Sequence, residues 1–118
     1  MYRIVLATLL GIMMASTGAN AHAILIKSEP TAGTTVAAGT LAMSFRYNSR
    51  IDRARSRLTL IKPDRSQTTL KIAPSAPPDT LETTAQVSAP GAYVVRWQVL
   101  ALDGHITRGD VPFTVAGH

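Results

Sequence analysis

The sequence contains no cysteine. A disulfide, a thiolate metal site and a cysteine nucleophile are therefore all excluded. A secreted domain without disulfides depends on its hydrophobic core alone, which suits a bacterial periplasm at least as well as an extracellular fluid. Any metal site must be built from nitrogen and oxygen ligands, with methionine as the remaining source of sulfur.

No hydrophobic run is long enough to span a membrane, and the longest one lies in a segment that resembles a secretory signal. Arg3 forms a basic start, residues 4–15 are apolar, and Ala19-Asn20-Ala21 is an A-x-A cleavage site. We predict that residues 1–21 are a cleaved signal peptide and that residues 22–118 are the mature protein. Removing 21 of the 118 residues leaves 97, enough for one small periplasmic domain without stable membrane insertion.

Aromatic residues are scarce at 5%, and acidic residues number 7 against 12 lysines and arginines. The predicted signal contains one of the basic residues and none of the acidic ones, which leaves the mature side chains at +4. A basic domain can bind nucleic acid. Export and the absence of enough aromatic rings for a stacking platform argue against that partner here. We interpret the charge as solvated surface.

The hydrophobic periodicity of the mature chain is that of strands, with no persuasive helical window. The strongest strand has Tyr93, Val95, Trp97 and Val99 on one face, which indicates a core position for Trp97. Pro112 suggests that the last strand lies at an edge or starts irregularly. We predict an all-β fold, a small Greek-key β-sandwich or barrel of about seven strands. The predicted strands are residues 23–26, 41–47, 57–61, 68–72, 81–87, 93–99 and 111–115.

Cleavage after Ala21 would make His22 the first residue of the mature chain. Such a histidine offers two nitrogens, its free α-amine and its imidazole Nδ1, which can close a chelate ring on one metal ion. An internal histidine cannot do this, because its backbone nitrogen is part of an amide. Signal removal would therefore create a metal-binding group.

A second candidate group follows the strongest predicted strand, at Asp103-Gly104-His105. Residues i and i+2 of an extended segment point the same way, so both side chains can face one ligand. Alone, this pair is a weak signal, because an Asp/His pair in a loop is more often a local hydrogen bond or a solvated turn than a metal site. Together with His22 it offers three nitrogens and an oxygen, which match the tetragonal preference of Cu(II) better than the tetrahedron of zinc. Of the four methionines only Met43 lies outside the predicted signal, so we expect one Cu(II) per mature chain and no dedicated Cu(I) site.

The sequence resembles the periplasmic copper-binding proteins of the CopC family. The order and spacing of the shared pieces are more specific than any one of them. The pieces are His22-Ala23, Ser28-Glu29-Pro30, Thr31-Ala32-Gly33, Gly91-Ala92-Tyr93-Val94-Val95-Arg96-Trp97, Asp103-Gly104-His105, Gly109 and Phe113-Thr114-Val115.

The resemblance implies a Greek-key fold of Ig-like or cupredoxin-like type and a histidine brace for Cu(II) at His22, His105 and Asp103. It leaves open whether Asp103 binds copper directly or orients His105. It implies a monomeric, non-enzymatic copper carrier or buffer in copper homeostasis and resistance. It also implies transfer of copper to an inner-membrane transporter of the CopD type. Many relatives have an acidic residue in a turn where this chain has Tyr47-Asn48-Ser49-Arg50, and the absence of a methionine-rich loop points to the Cu(II)-only type.

Two other functions remain open from the residues alone. One is a copper-dependent polysaccharide oxygenase that uses the same brace, although the chain is short and has few aromatic residues for a sugar-binding face. The other is a metal-free Ig-like adhesion module, which would bind no copper selectively.

Overall fold

The structure, a computed structural model, describes residues 22–117, so the predicted signal peptide lies outside the described residues. Eight strands and one short 3-10 helix make up the regular structure. They are β1 (Leu25–Glu29), β2 (Thr35–Val36), β3 (Gly39–Tyr47), the 3-10 helix (Arg53–Arg55), β4 (Arg57–Ile61), β5 (Gln67–Leu70), β6 (Thr80–Val87), β7 (Gly91–Leu100) and β8 (Ile106–Val115). Among these residues no helix is long and apolar enough to cross a membrane.

The strands form two sheets that pack face to face. One sheet has the order β1-β3-β6 and the other the order β2-β8-β7-β4-β5, and the chain crosses between them after β1, β2, β3, β5 and β6. The prediction of an all-β Greek-key fold is confirmed, and the sandwich alternative is the correct one, because the sheets do not close into a barrel.

The core lies between the inner faces of the two sheets, where alternate residues of each strand are buried as the period of two requires. Trp97 is 6% exposed, which confirms its predicted core position. The ring of Tyr47 meets Trp97 edge-on at 5.2 Å between centroids, and Tyr93 stacks on Phe113 at 5.3 Å. The first pair joins β3 of one sheet to β7 of the other, whereas the second lies within the five-stranded sheet, between β7 and β8.

Two features, the strand β2 and the start of its partner β8, differ from the sequence prediction. The strand β2 was not predicted, because two residues carry no periodicity, and it pairs with β8 in parallel. The strand β8 begins at Ile106 rather than at residue 111, since pairing with β7 orders its polar first half. Because β2 pairs only with Thr114 and Val115, β7 is the one strand that pairs with Pro112, and on the other side the Pro112 carbonyl accepts a hydrogen bond from Gly33 N–H at 2.8 Å.

One end of the sandwich brings together residues 22–24, which we call the chain start because they begin the predicted mature chain, and the connections 48–56, 71–79 and 101–105. Ile51 forms an isolated bridge with Ala101, and its N–H donates to Pro78 O at 3.1 Å. Asn48 N–H donates to Ile24 O at 3.0 Å. Backbone hydrogen bonds thus tie all four segments at the end where His22 and His105 lie.

The side chain of Arg53 joins two of the segments at this end of the sandwich. Its guanidinium donates to three backbone carbonyls of the connection before β6, Pro74 at 3.1 Å, Ala76 at 2.6 Å and Pro77 at 2.8 Å, and to that of Thr80, the first residue of β6, at 3.3 Å. A planar fork with several fixed donors suits this cluster of acceptors better than an ammonium group. The arginine is therefore a structural link and not a solvated surface charge.

We expect Arg53→Lys to lower the free energy of unfolding by about 1 kcal/mol, because the lysine keeps the charge but cannot reach all these carbonyls. Urea unfolding followed by circular dichroism measures the change. Arg55→Lys is the matched control, since Arg55 is largely exposed and meets Asp52 only at 4.0 Å. Equal losses in the two variants would contradict a structural role specific to Arg53.

Candidate metal centre

The structure places the rings of His22 and His105 side by side. Their centroids are 4.8 Å apart with an interplanar angle of 41°, and both residues are exposed. The chain start and the β7–β8 connection, separated by more than 80 residues, therefore present two imidazoles to the same point at the surface.

Asp103 contacts His105 through a compact turn. The His105 Nδ1 lies 2.7 Å from Asp103 Oδ2, and the His105 backbone N–H donates to Asp103 Oδ1 at 3.1 Å. The turn is closed by Gly104 N–H donating to Ala101 O at 2.9 Å, with Gly104 at a φ of +93° that favours glycine. Asp103 and His105 thus form the local hydrogen bond that the sequence offered as the alternative to a shared ligand, and their role in metal binding stays a prediction.

The hydrogen bond from the His105 side chain is the main cause that lowers the pKa of Asp103, and the His105 backbone N–H adds to it. The carboxylate accordingly stays ionised well below neutral pH. An ionised acceptor on Nδ1 favours the His105 tautomer with its proton there, which leaves Nε2 free to accept a metal ion.

Within residues 22–117, no three His, Asp or Glu side chains are arranged as a finished metal site. Asp103 Oδ2 is engaged by His105, and the backbone nitrogen of His22 is a peptide nitrogen in the full-length chain. The cluster consists of two imidazoles and an orienting carboxylate, a donor set that fits Cu(II) once an amine is added.

The chain start is held firmly beside His105. Ala23 is fully buried, and its carbonyl accepts a hydrogen bond from Thr107 Oγ1 at 2.9 Å. Asn48 bonds both backbone groups of Ile24: its Oδ1 accepts from Ile24 N–H at 2.8 Å, and its own N–H donates to Ile24 O. Sequence reasoning missed both contacts, because no local pattern links Thr107 or Asn48 to residues 84 and 24 positions away.

Four large hydrophobic side chains are exposed in the described part of the chain, and all of them flank the histidines. Ile24 and Ile26 follow His22 within four residues, and Leu102 and Ile106 lie within three residues of His105. Leu102, at 65% exposure, is the most open of the four. We call this set the apolar rim. Exposed apolar groups that gather around one site are typical of an interaction surface.

A groove of about 770 Å³ lies elsewhere, between the three-stranded sheet and residues 71–74, where Glu29, Lys71 and Glu82 line it. Met43 borders this groove and is 2% exposed. The histidine cluster is a surface site and does not use this groove.

Comparisons with known proteins agree with this fold. A family model described as the CopC domain matches residues 25–116. The structure of CopC from Methylosinus trichosporium OB3b is 30% identical with a TM-score of 0.73, and the match covers 82% of this chain and 96% of that one. The structure of PcoC from Escherichia coli, a methionine-rich copper resistance protein, is 27% identical with a TM-score of 0.63, and covers 81% and 100%. Among curated proteins, none matches the sequence significantly.

Proposed function

This chain belongs to the CopC family, and from that membership we propose that its mature form is a periplasmic Cu(II) carrier or buffer in copper homeostasis and resistance. Family membership supports a copper-related function. The observation that carries the specific proposal is the 4.8 Å approach of the His22 ring to the His105 ring, because it joins the chain start to the second histidine.

In the proposed site, signal cleavage frees the α-amine of His22, which binds one Cu(II) together with its own Nδ1 and with His105 Nε2. Asp103 supplies the carboxylate of the site. Its bond to His105 Nδ1 supports an orienting role, because a direct bond from Oδ2 to copper would cost that hydrogen bond. Binding displaces protons from the amine and from any charged imidazole, so the affinity falls as the pH falls.

A carrier must release its ion as well as hold it. The His105 side chain is 60% exposed, so a second protein can reach the copper without unfolding this one. The apolar rim supports a direct contact with a copper-exchanging partner, and a transporter of the CopD type fits the proposal. No chemical step on a substrate is needed, so the proposed function is not enzymatic.

A competitive Cu(II) titration of the chain that starts at His22 tests the site. We expect one tight Cu(II) per chain, and we expect His105→Gln to weaken binding by more than the roughly 10- to 100-fold typical of losing an orienting partner. His118→Gln is the matched control, since the proposed site does not use that histidine. A starting chain that binds no Cu(II), or equal losses in both variants, would refute this assignment.

A further inference from the structure

We propose that Thr107 and Asn48 form an N-terminal clamp that positions His22 for copper, an inference that rests on the proposed function. The clamp consists of the bond from Thr107 Oγ1 to Ala23 O and the two bonds between Asn48 and Ile24. Neither clamp residue is a ligand in the proposed site. Both act through the two peptides that follow His22.

The need for a clamp follows from the kind of ligand that His22 is. Terminal residues are poorly ordered unless they are tied down. A brace requires the first residue to hold its amine and its imidazole at one point that His105 also reaches. If the chain start were free to move, binding would have to order it, and the affinity would fall by the fraction of time spent in the competent position.

The two clamp residues hold the chain start from both sheets. Thr107 lies in β8 of the five-stranded sheet, two residues after His105, so its bond joins the segments that carry the two histidines. Asn48 directly follows β3 of the three-stranded sheet. Ala23, the residue between His22 and Ile24, is fully buried. The strand β1 begins to pair with β3 at Leu25, three residues after His22.

Thr107→Val tests the clamp, because valine keeps the β-branched shape of a half-buried strand residue and removes only the hydroxyl. In competitive titration of the chain that starts at His22, we expect Thr107→Val to weaken Cu(II) binding about three- to tenfold, the effect of one hydrogen bond. Electron paramagnetic resonance of the Cu(II) form should show broadened or shifted copper parameters. Thr107→Ser, which restores a hydroxyl, should recover most of the affinity and the parent spectrum.

Thr114→Val is the matched control, an exposed threonine in the same strand at the opposite end of the sandwich. Hydrogen exchange of the Ile24 amide in the metal-free protein gives a second readout. Exchange should speed up in Thr107→Val and stay unchanged in Thr114→Val, because Ile24 N–H is protected by Asn48 only while the chain start is in place.

If Thr107→Val keeps the Cu(II) affinity, the spectrum and the Ile24 amide exchange of the parent protein, the clamp is overturned while the proposed function remains intact. A parent chain that fails to bind Cu(II) would instead overturn the proposed function, and with it the positioning role. Unchanged affinity together with faster Ile24 exchange would overturn positioning as well, since the chain start would then move without consequence for copper.

Discussion

One glycine added before His22 is expected to weaken Cu(II) binding by the mature chain by orders of magnitude. The extension places the backbone nitrogen of His22 in a peptide bond. It leaves both imidazoles, Asp103 and the fold in place. In the chain that starts at His22, the amine nitrogen, Cα, Cβ, Cγ and Nδ1 form a five-atom unit that can chelate one metal ion. The extension removes this chelating unit, because the nitrogen becomes an amide, and it leaves the other donors in place.

The new terminal amine of the extended chain can still bind copper, so the expected result is a change in affinity and spectrum rather than a simple loss. Competitive Cu(II) titration near neutral pH measures the affinity, and the visible d–d band reports the changed ligand set. A chain with one glycine added after His118 is the control of equal length and composition.

Equal Cu(II) affinity in the chain that starts at His22 and in the glycine-extended chain would mean that the metal binds elsewhere. The same reasoning applies to the full-length chain, in which Ala21 occupies the position of the added glycine. Full-length protein and extended protein should therefore both bind Cu(II) more weakly than the chain that starts at His22, although only the extended one has a terminal amine next to that histidine. If they do, signal cleavage is the event that completes the site.

The strand pattern was the most predictable part of this protein. In β7 the buried residues Tyr93, Val95, Trp97 and Val99 alternate with more exposed ones, and this alternation is visible in the sequence because the side-chain period of a strand is local. The strand β2 could not be predicted, because its two residues are ordered by hydrogen bonds with β8 and not by their own pattern.

The candidate site was predictable only in its chemistry. His22, Asp103 and His105 stand out as ligand types at special positions, one at a cleavage point and two in a D-x-H turn. The hydrogen bonds of Thr107 and Asn48 to the chain start could not be predicted. Neither residue belongs to a sequence motif, and only the fold brings them to that segment. Ligand identity is encoded by residue type, whereas ligand placement is encoded by contacts between distant segments.

Gly109 also shows how a residue depends on a contact that the fold creates, and Gly109→Ala is expected to lower the free energy of unfolding by about 2–3 kcal/mol. Gly109 pairs with Trp97 across β7 and β8. A Cβ atom on Gly109 would lie 2.6 Å from Trp97 Cε2 and 2.9 Å from Nε1. Its φ does not lie in the left-handed region, so the expected loss comes from this collision and not from backbone strain.

Trp97 cannot easily move away, because it is 6% exposed and its ring packs edge-on against Tyr47. Urea unfolding measures the loss of stability, and the emission of Trp97, the single tryptophan of the chain, reports the change around its ring. Gly117→Ala is the matched control, since a Cβ there meets only Pro90 at an ordinary 3.8 Å.

In the Gly109→Ala background, Trp97→Phe should cost less stability than it does alone, because the smaller ring relieves the collision. Parent stability in Gly109→Ala, or fully additive losses in the double variant, would show that the indole does not depend on the missing side chain at Gly109.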